Sequence, residues 1–272
     1  MNTAILGLLA ETPVHPGSGR SMGVVDLPVA REAATDYPVL VGSGLKGALR
    51  DKAERTPEMD AKALFGDEDK AGDLLVSDAR LLLLPVRSLT GAFRWVTCPH
   101  LIERFRRDLE RAGRPASLKA PTVPPGKTLS EGSGRLFLEE RQFEICGQPG
   151  DGLIQAAGEL LVHEDTRKRL TSQVAVLNDD DFAWFARFGL ALQARNVLEK
   201  DTKKSKNLWY EETLPPDTVM YALVAGRRPG SLKALGTLFP AKEPYLQAGG
   251  NETVGQGWFA VQVLKTPAGG EA

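Results

Sequence analysis

An α+β fold of the ferredoxin-like kind is predicted by the order of strand and helix patterns along the 272 residues. A strand pattern opens the chain and an amphipathic helix pattern follows it, while strand, helix and strand patterns close it. Segments rich in Gly, Pro and charged residues separate these patterns. They predict loops inserted into a single domain over residues 1–272, and the hydrophobic content of 42% is enough to build its core.

The first elements follow from local patterns. The segment "AILGLLAE", residues 4–11, is predicted to be a strand, and residues 12–36, dense in Gly and Pro, are predicted to form a long loop. Loops longer than about 12–15 residues in a compact domain are usually functional or disordered. The short extended run "YPVLV" then leads into a helix over 43–55, with Ser43 as its N-cap.

The later elements are predicted from periodicity and from Gly and Pro boundaries. In chain order they are a short helix ending at Gly66, a strand region over 73–86, a helix over 99–113, an inserted Pro/Gly/Ser-rich loop over 114–134, a strand over 135–145, a capped helix over 178–193, a β-hairpin over 195–212, a strand over 218–226, a helix over 229–239 and a strand over 257–264.

Composition limits the possible functions. A net charge of −1 and a pI near 6.4 argue against a protein that coats nucleic acid indiscriminately, so any site for a polyanion must be local. No apolar run reaches the length of a membrane span and the N-terminus lacks a basic signal region, which predicts a cytoplasmic protein without a membrane partner. Two cysteines and three histidines do not make a disulfide framework or a zinc cluster.

Gly42, Gly44 and Gly47 have the G-x-G-x-x-G spacing of a dinucleotide-binding turn. The acidic residue that would hold a ribose falls in the polar turn "FGDEDKAGD", not at a strand end, and a P-loop would need Lys where Ala48 stands. A tight strand-to-helix turn with solvated Lys46 and Arg50 is one alternative. The other is a phosphate site, because such a turn exposes N–H groups at a helix N-terminus with basic side chains on the next turn.

A second glycine cluster precedes the last strand, in "LQAGGNETVGQGW". Its glycines, Gly249, Gly250, Gly255 and Gly257, would let a ligand approach the backbone closely, although a flexible turn would have the same composition. Two such segments and a basic helix face in a near-neutral protein together indicate a groove for a phosphate backbone.

Four motifs in order, "ETPVHPGSG", "VVDLPVAREAATDYPVLVGSGLKGALR", "NLWYEETLPPDTVMYALV" and "GGNETVGQGW", resemble the RAMP superfamily of CRISPR proteins. The resemblance runs from about residue 4 to residue 263 and is strongest to the repeated backbone subunit of the type III-B effector, the Cmr complex. It implies an RRM-like palm, a β-hairpin thumb, copies stacked head to tail along a guide RNA with other type III-B subunits, and cleavage of complementary target RNA at regular intervals. Gly44 departs from the pattern, since many relatives have a hydroxyl residue there.

The resemblance also implies an active site. Asp26 is similar in position to the essential acid of the family, and its carboxylate would recruit Mg²⁺ or another divalent cation, with RNA oxygens completing the coordination. His15 is a second candidate, as acid–base or phosphate-positioning group, and a hydrogen-bonded loop histidine is the alternative. Tyr210, Glu211 and Glu212 are a third group that could face the site from the next subunit, or they form an ordinary strand. The "DDD" run at 179–181 is better explained as a helix N-terminus than as a metal cluster.

The charged turn of the predicted hairpin carries four lysines, of which Lys203 and Lys204 are predicted to contact RNA. A solubilising loop is the alternative. By the resemblance, this hairpin or the 114–134 insertion would be the thumb that splays a target nucleotide. The sequence thus predicts a metal-dependent endoribonuclease subunit that also binds the guide, with a purely structural RNA-binding scaffold as the alternative and a dinucleotide enzyme as the least favoured function.

Overall fold

A computed structural model describes residues 2–21 and 23–264. The strands are β1 Asn2–Ala10, β2 Val39–Leu40, β3 Leu74–Val76, β4 Ala79–Arg87, β5 Phe93–Thr97, β6 Lys127–Ser130, β7 Arg135–Leu138, β8 Arg141–Gly147, β9 Val174–Leu177, β10 Ala191–Leu198, β11 Ser205–Thr213, β12 Val219–Gly226, β13 Tyr245–Gln247 and β14 Trp258–Leu264. The α-helices are α1 Gly42–Glu54, α2 Ala61–Phe65, α3 Pro99–Arg111, α4 Asp151–Glu159, α5 Glu164–Gln173, α6 Asp179–Phe188 and α7 Ser231–Thr237. The predicted α+β class is confirmed.

A large mixed sheet organises the chain, with β10 and β11 forming a separate antiparallel pair. Along the main path the strands follow the order β13-β14-β1-β12-β4-β5-β9-β6-β8-β7, and β2 and β3 pair with β4 and β12 off this path. The stretch β14-β1-β12-β4 is antiparallel throughout. In chain order, α1 lies between β1 and β4, and α7 lies between β12 and β14.

Apolar side chains cover both faces of this sheet, because residues of a strand alternate between the two sides. On β1, Leu6 and Leu8 pack in the same core as α1, α6 and α7, whereas Ile5 and Leu9 pack with α3, α4 and α5. Gly7 lies on the second side, where a Cβ would be only 2.4 Å from the Leu160 carbonyl oxygen. The helix layer can therefore approach the sheet closely at this point.

Most of the predicted elements near the chain ends have counterparts, but the helix predicted over 178–193 is too long. Helix α6 ends at Phe188, and the next residues enter β10. Its start agrees with the prediction, since the Asn178 side chain accepts a hydrogen bond from the Asp180 N–H at 3.0 Å and the "DDD" run forms the first turn. The predicted 195–212 hairpin lies within β10 and β11.

The predicted inserted loop over 114–134 needs correction at its second half. Residues 127–130 form β6, an interior strand of the main sheet that pairs with β8 and β9. Thr128 and Ser130 are buried, and their hydroxyls donate to the carbonyl oxygens of Val176 and Val174. Thr and Ser are common in loops, so their presence at buried positions of β6 explains why this strand was predicted to be part of a loop. Within the described residues, none of the helices is long and apolar enough to cross a membrane.

Candidate nucleic-acid interface

The two glycine segments meet in one groove, with a cavity of about 680 Å³. One wall is the N-terminal half of α1, where Ser43 and Gly44 are exposed in the first turn. The other wall is the loop between β13 and β14. The first N–H groups of a helix have no partner within the helix. In α1 the Gly42 N–H is accepted by Asp78 Oδ1 at 2.7 Å, so the α1 wall offers the N–H groups of Ser43 and Gly44 to an anion. Lining residues from the two walls and the long loop include His15, Gly17, Ser43, Gly44, Gly47, Gly249 and Gly250.

His15 lies between the two segments and is held in a fixed orientation. Its Nδ1 lies 2.8 Å from the carbonyl oxygen of Glu212, and its own carbonyl oxygen accepts the Gly250 N–H at 2.9 Å. A Cβ at Gly17 would lie 2.8 Å from His15 Nε2, and one at Gly250 would lie 3.2 Å from Cδ2. Nδ1 therefore donates to the carbonyl, and Nε2 faces the glycine-lined side.

Gly249, Gly255 and Gly257 shape the second segment through left-handed backbone conformations, with φ of 95°, 79° and 81°. At Gly257 a Cβ would lie 2.4 Å from the Ala248 carbonyl oxygen. Gly255 and Gly257 fold the loop without lining the groove, whereas Gly249 and Gly250 line it. The four predicted glycines thus divide into two that face the groove and two that turn the chain.

Lys46 and Arg50 are not brought to this groove. They lie on a neighbouring face of α1, and Arg50 Nε donates to Glu54 Oε1 at 2.8 Å. The basic residue that follows α1 and lines the groove is Arg55, which pairs with Asp51 at 3.0 Å. The groove therefore depends more on backbone N–H groups and close approach than on surface cations.

Asp26 is exposed at the base of the β10–β11 hairpin, on the long loop. Its Oδ2 accepts the N–H of Tyr210 at 2.8 Å, and the N–H of Leu27 donates to the Tyr210 carbonyl oxygen at 3.1 Å. A second cavity of about 490 Å³ lies beside it. Side chains that line this cavity come from the loop, the hairpin and the β13–β14 segment: Arg20, Ser21, Asp26, Asn207, Trp209 and Asn251.

Glu211 and Glu212 point inward. Glu211 is 1% exposed, and its carboxylate accepts hydrogen bonds from Arg195 Nε at 3.0 Å and from Asn251 Nδ2, with His15 Nδ1 at 3.7 Å. Any direct contact of Glu211 with RNA would break these bonds. Tyr210, on the opposite side of the strand, is 45% exposed.

Ion pairs at Arg31, Glu32 and Asp36 hold the Asp26 loop against the body of the protein. Arg31 Nη2 lies 2.7 Å from Glu212 Oε1, and the other Glu212 oxygen accepts the Val29 N–H at 3.0 Å. Glu32 pairs with Arg104 at 2.8 Å. Burial alone would raise the pKa of Glu32, but hydrogen bonds from Arg104 and Thr35 outweigh it and lower that pKa below its usual value. The loop is a fixed part of the site.

The predicted catalytic residues therefore do not converge on a single point. Asp26 borders one cavity, His15 lines the other, and Glu211 is buried between them. Asn251, which sequence reasoning missed, connects them, because it bonds Glu211 and lines the Asp26 cavity while Gly250, the residue before it, lines the groove. The sequence feature that could have indicated Asn251 is its position in a glycine-rich turn, where Asn251 adopts a left-handed φ of 64°.

Among the described residues, no group of three or more His, Cys, Asp or Glu side chains is placed to hold a metal ion. Asp26 offers one carboxylate, of which Oδ2 already accepts the Tyr210 N–H. Mg²⁺ is commonly held by one or two carboxylates together with phosphate oxygens and water. The residues present fit that kind of shared site and do not fit an all-protein metal cage.

The family model for the RAMP superfamily matches residues 8–260. The CRISPR system Cmr endoribonuclease Cmr4 of Pyrococcus furiosus is 35% identical, over 99% of this chain and 98% of its own. This chain belongs to the Cmr4 family of the RAMP superfamily. The resemblance drawn from the four sequence motifs is confirmed.

Solved structures agree with membership of the Cmr4 family. A crystal structure of oligomeric Cmr4 from Pyrococcus furiosus has a TM-score of 0.75 at 28% identity and covers 97% of this chain and 98% of its own. A type III-B Cmr-beta complex bound to cognate target RNA contains a chain with a TM-score of 0.79, covering 97% of each chain. At 19% identity, that second likeness speaks for the fold alone.

Proposed function

We propose that this chain is the guide-RNA-binding backbone subunit of a cytoplasmic type III-B ribonucleoprotein and that it cleaves complementary target RNA at regular intervals. The observation that carries the proposal is the meeting of the two glycine segments in one groove, with Asp26 exposed in the adjacent cavity. The relative from Pyrococcus furiosus is named an endoribonuclease, which supports cleavage as the activity.

The fold supports the proposed roles of its parts. The order β14-β1-β12-β4, with α1 and α7 as the connecting helices, matches the βαββαβ order of a ferredoxin-like unit and supports the proposal of a palm. The β10–β11 hairpin stands outside the main sheet, as a thumb would. Copies would associate through a head-to-tail interface that does not close, so the guide and the other effector subunits would limit the length of the filament.

The reaction would be attack of a target 2′-OH on the adjacent phosphate. It forms a 2′,3′-cyclic phosphate and breaks the P–O5′ bond, while the 2′-OH loses its proton and the leaving 5′ oxygen takes one up. A divalent cation, when bound between Asp26 and the RNA, would lower the pKa of that hydroxyl and stabilise charge on the phosphate. Asp26 would hold its position through the Tyr210 N–H, and the ion pairs at Arg31 and Glu32 would fix the loop. His15 would orient the guide backbone in the groove, since it lies away from the Asp26 cavity.

Gly44→Asp tests the groove. A Cβ at Gly44 meets no atom within 4 Å, and an acid in the first turn of a helix is favourable, so the variant is expected to fold. It should weaken guide binding about tenfold or more at low salt, because like charges near a protein surface repel by a few kcal/mol and salt screens them. Filter-binding or anisotropy titrations with the free guide measure this, and unchanged affinity would contradict the groove.

Lys46→Ala is the companion variant on the neighbouring face of α1. If Lys46 neutralises a guide phosphate, its removal should weaken binding equally for every guide sequence and reduce the log–log salt slope by roughly 0.7 for each phosphate that is no longer neutralised. The structure places Lys46 outside the groove lining, so an unchanged slope beside a defective Gly44→Asp would assign guide binding to the groove alone. A defect that depends on guide sequence would indicate base reading instead.

A structural scaffold without cleavage activity is the alternative function. The exposed carboxylate of Asp26 disfavours it, because a negative charge beside phosphates weakens binding unless it serves chemistry. A dinucleotide enzyme is the least favoured, and absence of binding to any adenine nucleotide would exclude it.

A further inference from the structure

A buried carboxylate connects the β10–β11 hairpin to the second glycine segment. Glu211 lies on β11, and its two oxygens are held from different sides. Oε2 accepts the Arg195 Nε–H at 3.0 Å from the neighbouring strand β10, whereas Oε1 accepts a hydrogen bond from Asn251 Nδ2. A carboxylate removed from water is costly unless such partners surround it, so the three side chains depend on one another.

This cluster of three side chains lies between the guide groove and Asp26. Asn251 directly follows Gly250, which lines the groove. Glu211 directly follows Tyr210, whose N–H donates to Asp26 Oδ2 at 2.8 Å. The hydrogen bond from Asn251 to Glu211 therefore joins the segment that lines the groove to the strand that carries Asp26.

The hairpin is separate from the main sheet, so its position depends on contacts at its base. Strand β11 forms a bridge to Leu27 on the long loop, and Leu214, just after this strand, forms a bridge to Val14. The Asn251 bond adds a connection to the β13–β14 segment. A buried ion pair is weak evidence for stability, and its best-attested use is to hold one arrangement against others. The chemistry of the cluster therefore suits positioning.

We infer that Glu211, Arg195 and Asn251 form a brace that fixes the distance between the guide groove and Asp26, and that Arg195 and Asn251 are positioning residues for target cleavage. Both act through Glu211 and β11 and do not contact the reacting atoms. A displacement of about 1 Å can lower a rate about 100-fold, so a small movement of β11 is enough to matter. The inference rests on the proposed function and adds two residues to it.

Reversing the direction of the Asn251–Glu211 hydrogen bond tests the brace. Asn251→Asp replaces the donor with a second carboxylate, and Asp also adopts the left-handed φ of 64° found here. Glu211→Gln replaces one acceptor oxygen with a donor that faces either Arg195 or Asn251. Each single variant should lower the single-turnover cleavage rate of the assembled complex about 10- to 100-fold. The double variant should recover most of the rate, because the amide introduced at position 211 can donate to the carboxylate introduced at position 251.

Guide and target affinities should stay nearly unchanged in these variants, whereas a merely structural role would lower affinity together with the rate. Asn196→Asp is the matched control. It adds the same charge on β10, and its carboxylate can still accept the Ser205 hydroxyl, which Asn196 Oδ1 accepts at 2.8 Å. This control should cleave at the wild-type rate.

Asn251→Gly removes the amide without adding a charge, and Gly adopts the left-handed φ freely. It should show the same defect as Asn251→Asp, and it decides the test if that variant does not fold. On the other side of the brace, Arg195→Lys keeps a cation near Glu211 and should retain more of the rate than Arg195→Ala. Wild-type cleavage by Asn251→Gly, or a double variant no better than the two single variants, would overturn the inference.

Hydrogen exchange at the Tyr210 N–H gives a readout that does not depend on cleavage, because this group is bonded to Asp26. Exchange in the guide-bound complex should be faster in Asn251→Asp and slow again in the double variant, and equal exchange in Asn251→Asp and wild type would contradict the brace. If the wild-type complex cuts and the variants cut equally well, only this inference fails. If the wild-type complex does not cut target RNA at all, the proposed function fails.

Discussion

Asp26→Asn is expected to abolish target cleavage while guide and target binding remain nearly intact. The substitution removes the negative charge, but the amide oxygen of Asn can still accept the Tyr210 N–H that Asp26 Oδ2 accepts at 2.8 Å. The loop should therefore stay docked on β11. Loss of the group that activates the hydroxyl should lower the cleavage rate by at least about 100-fold. Rate and affinities should be measured on the same preparation of the assembled complex.

Asp36→Asn is the matched control for this substitution. Asp36 lies on the same loop, and its half-exposed side chain pairs with Arg187 Nε at 2.8 Å, which the amide oxygen of Asn can still accept. Its φ of 61° is one that Asn also adopts readily. The Asp36→Asn complex should cleave at the wild-type rate, and Asp26→Asn cleaving at that rate would refute the catalytic role of Asp26.

Excess chelator distinguishes a metal-dependent reaction from one in which a protein side chain alone acts as the base. If the proposed cation is needed, chelation should stop the wild-type reaction as completely as Asp26→Asn does, and added Mg²⁺ should restore the wild-type complex but not the variant. Cleavage that persists in chelator but disappears in Asp26→Asn would leave Asp26 as a general base and exclude the metal.

Strand β1 and helices α1 and α6 could be predicted from the sequence because their signals are local. Strand β1 and helix α1 follow simple apolar periodicities, and α6 begins with an acidic first turn. No helix or strand was predicted from the sequence for residues 148–177, although α4, α5 and β9 lie there. Helix α5 has few apolar positions, and the four residues of β9 are an apolar run that could belong to a helix or a strand.

The candidate site could be predicted in its residue types but not in its geometry. Two glycine segments some 200 residues apart were expected to serve one ligand, and the structure brings them together around His15. Whether Lys46 faces that groove depends on the rotation of α1, which helical spacing alone does not give. The inward orientation of Glu211 could not be predicted from the sequence either. It depends on hydrogen bonds from Arg195 and Asn251, which belong to two different segments.

Removing the tip of the β10–β11 hairpin, residues 200–206, and closing it with a short Gly-Ser bridge is expected to abolish or blur the regular spacing of cuts. These residues are exposed and outside the main sheet, so the rest of the chain should fold without them. The pairing of Val197 with Asn207 and the Trp209 surface lie below the deletion and should persist. Sequencing gels of target fragments measure the spacing directly.

We expect this result because the hairpin tip would have to reach the RNA duplex of a neighbouring copy. The tip carries Lys200, Lys203, Lys204 and Lys206 at the end of a hairpin that is separate from the main sheet. In the proposed head-to-tail assembly this basic charge would contact the guide–target duplex held by a neighbouring copy. Without the tip, the target nucleotide would stay stacked and its 2′-OH would not reach the line of attack. Lys203→Ala with Lys204→Ala keeps the length but removes charge, so it should weaken target binding and preserve the spacing. If the deletion leaves the pattern of target fragments unchanged, this hairpin is not the thumb. The Pro-rich stretch over 114–126 then becomes the segment to remove next.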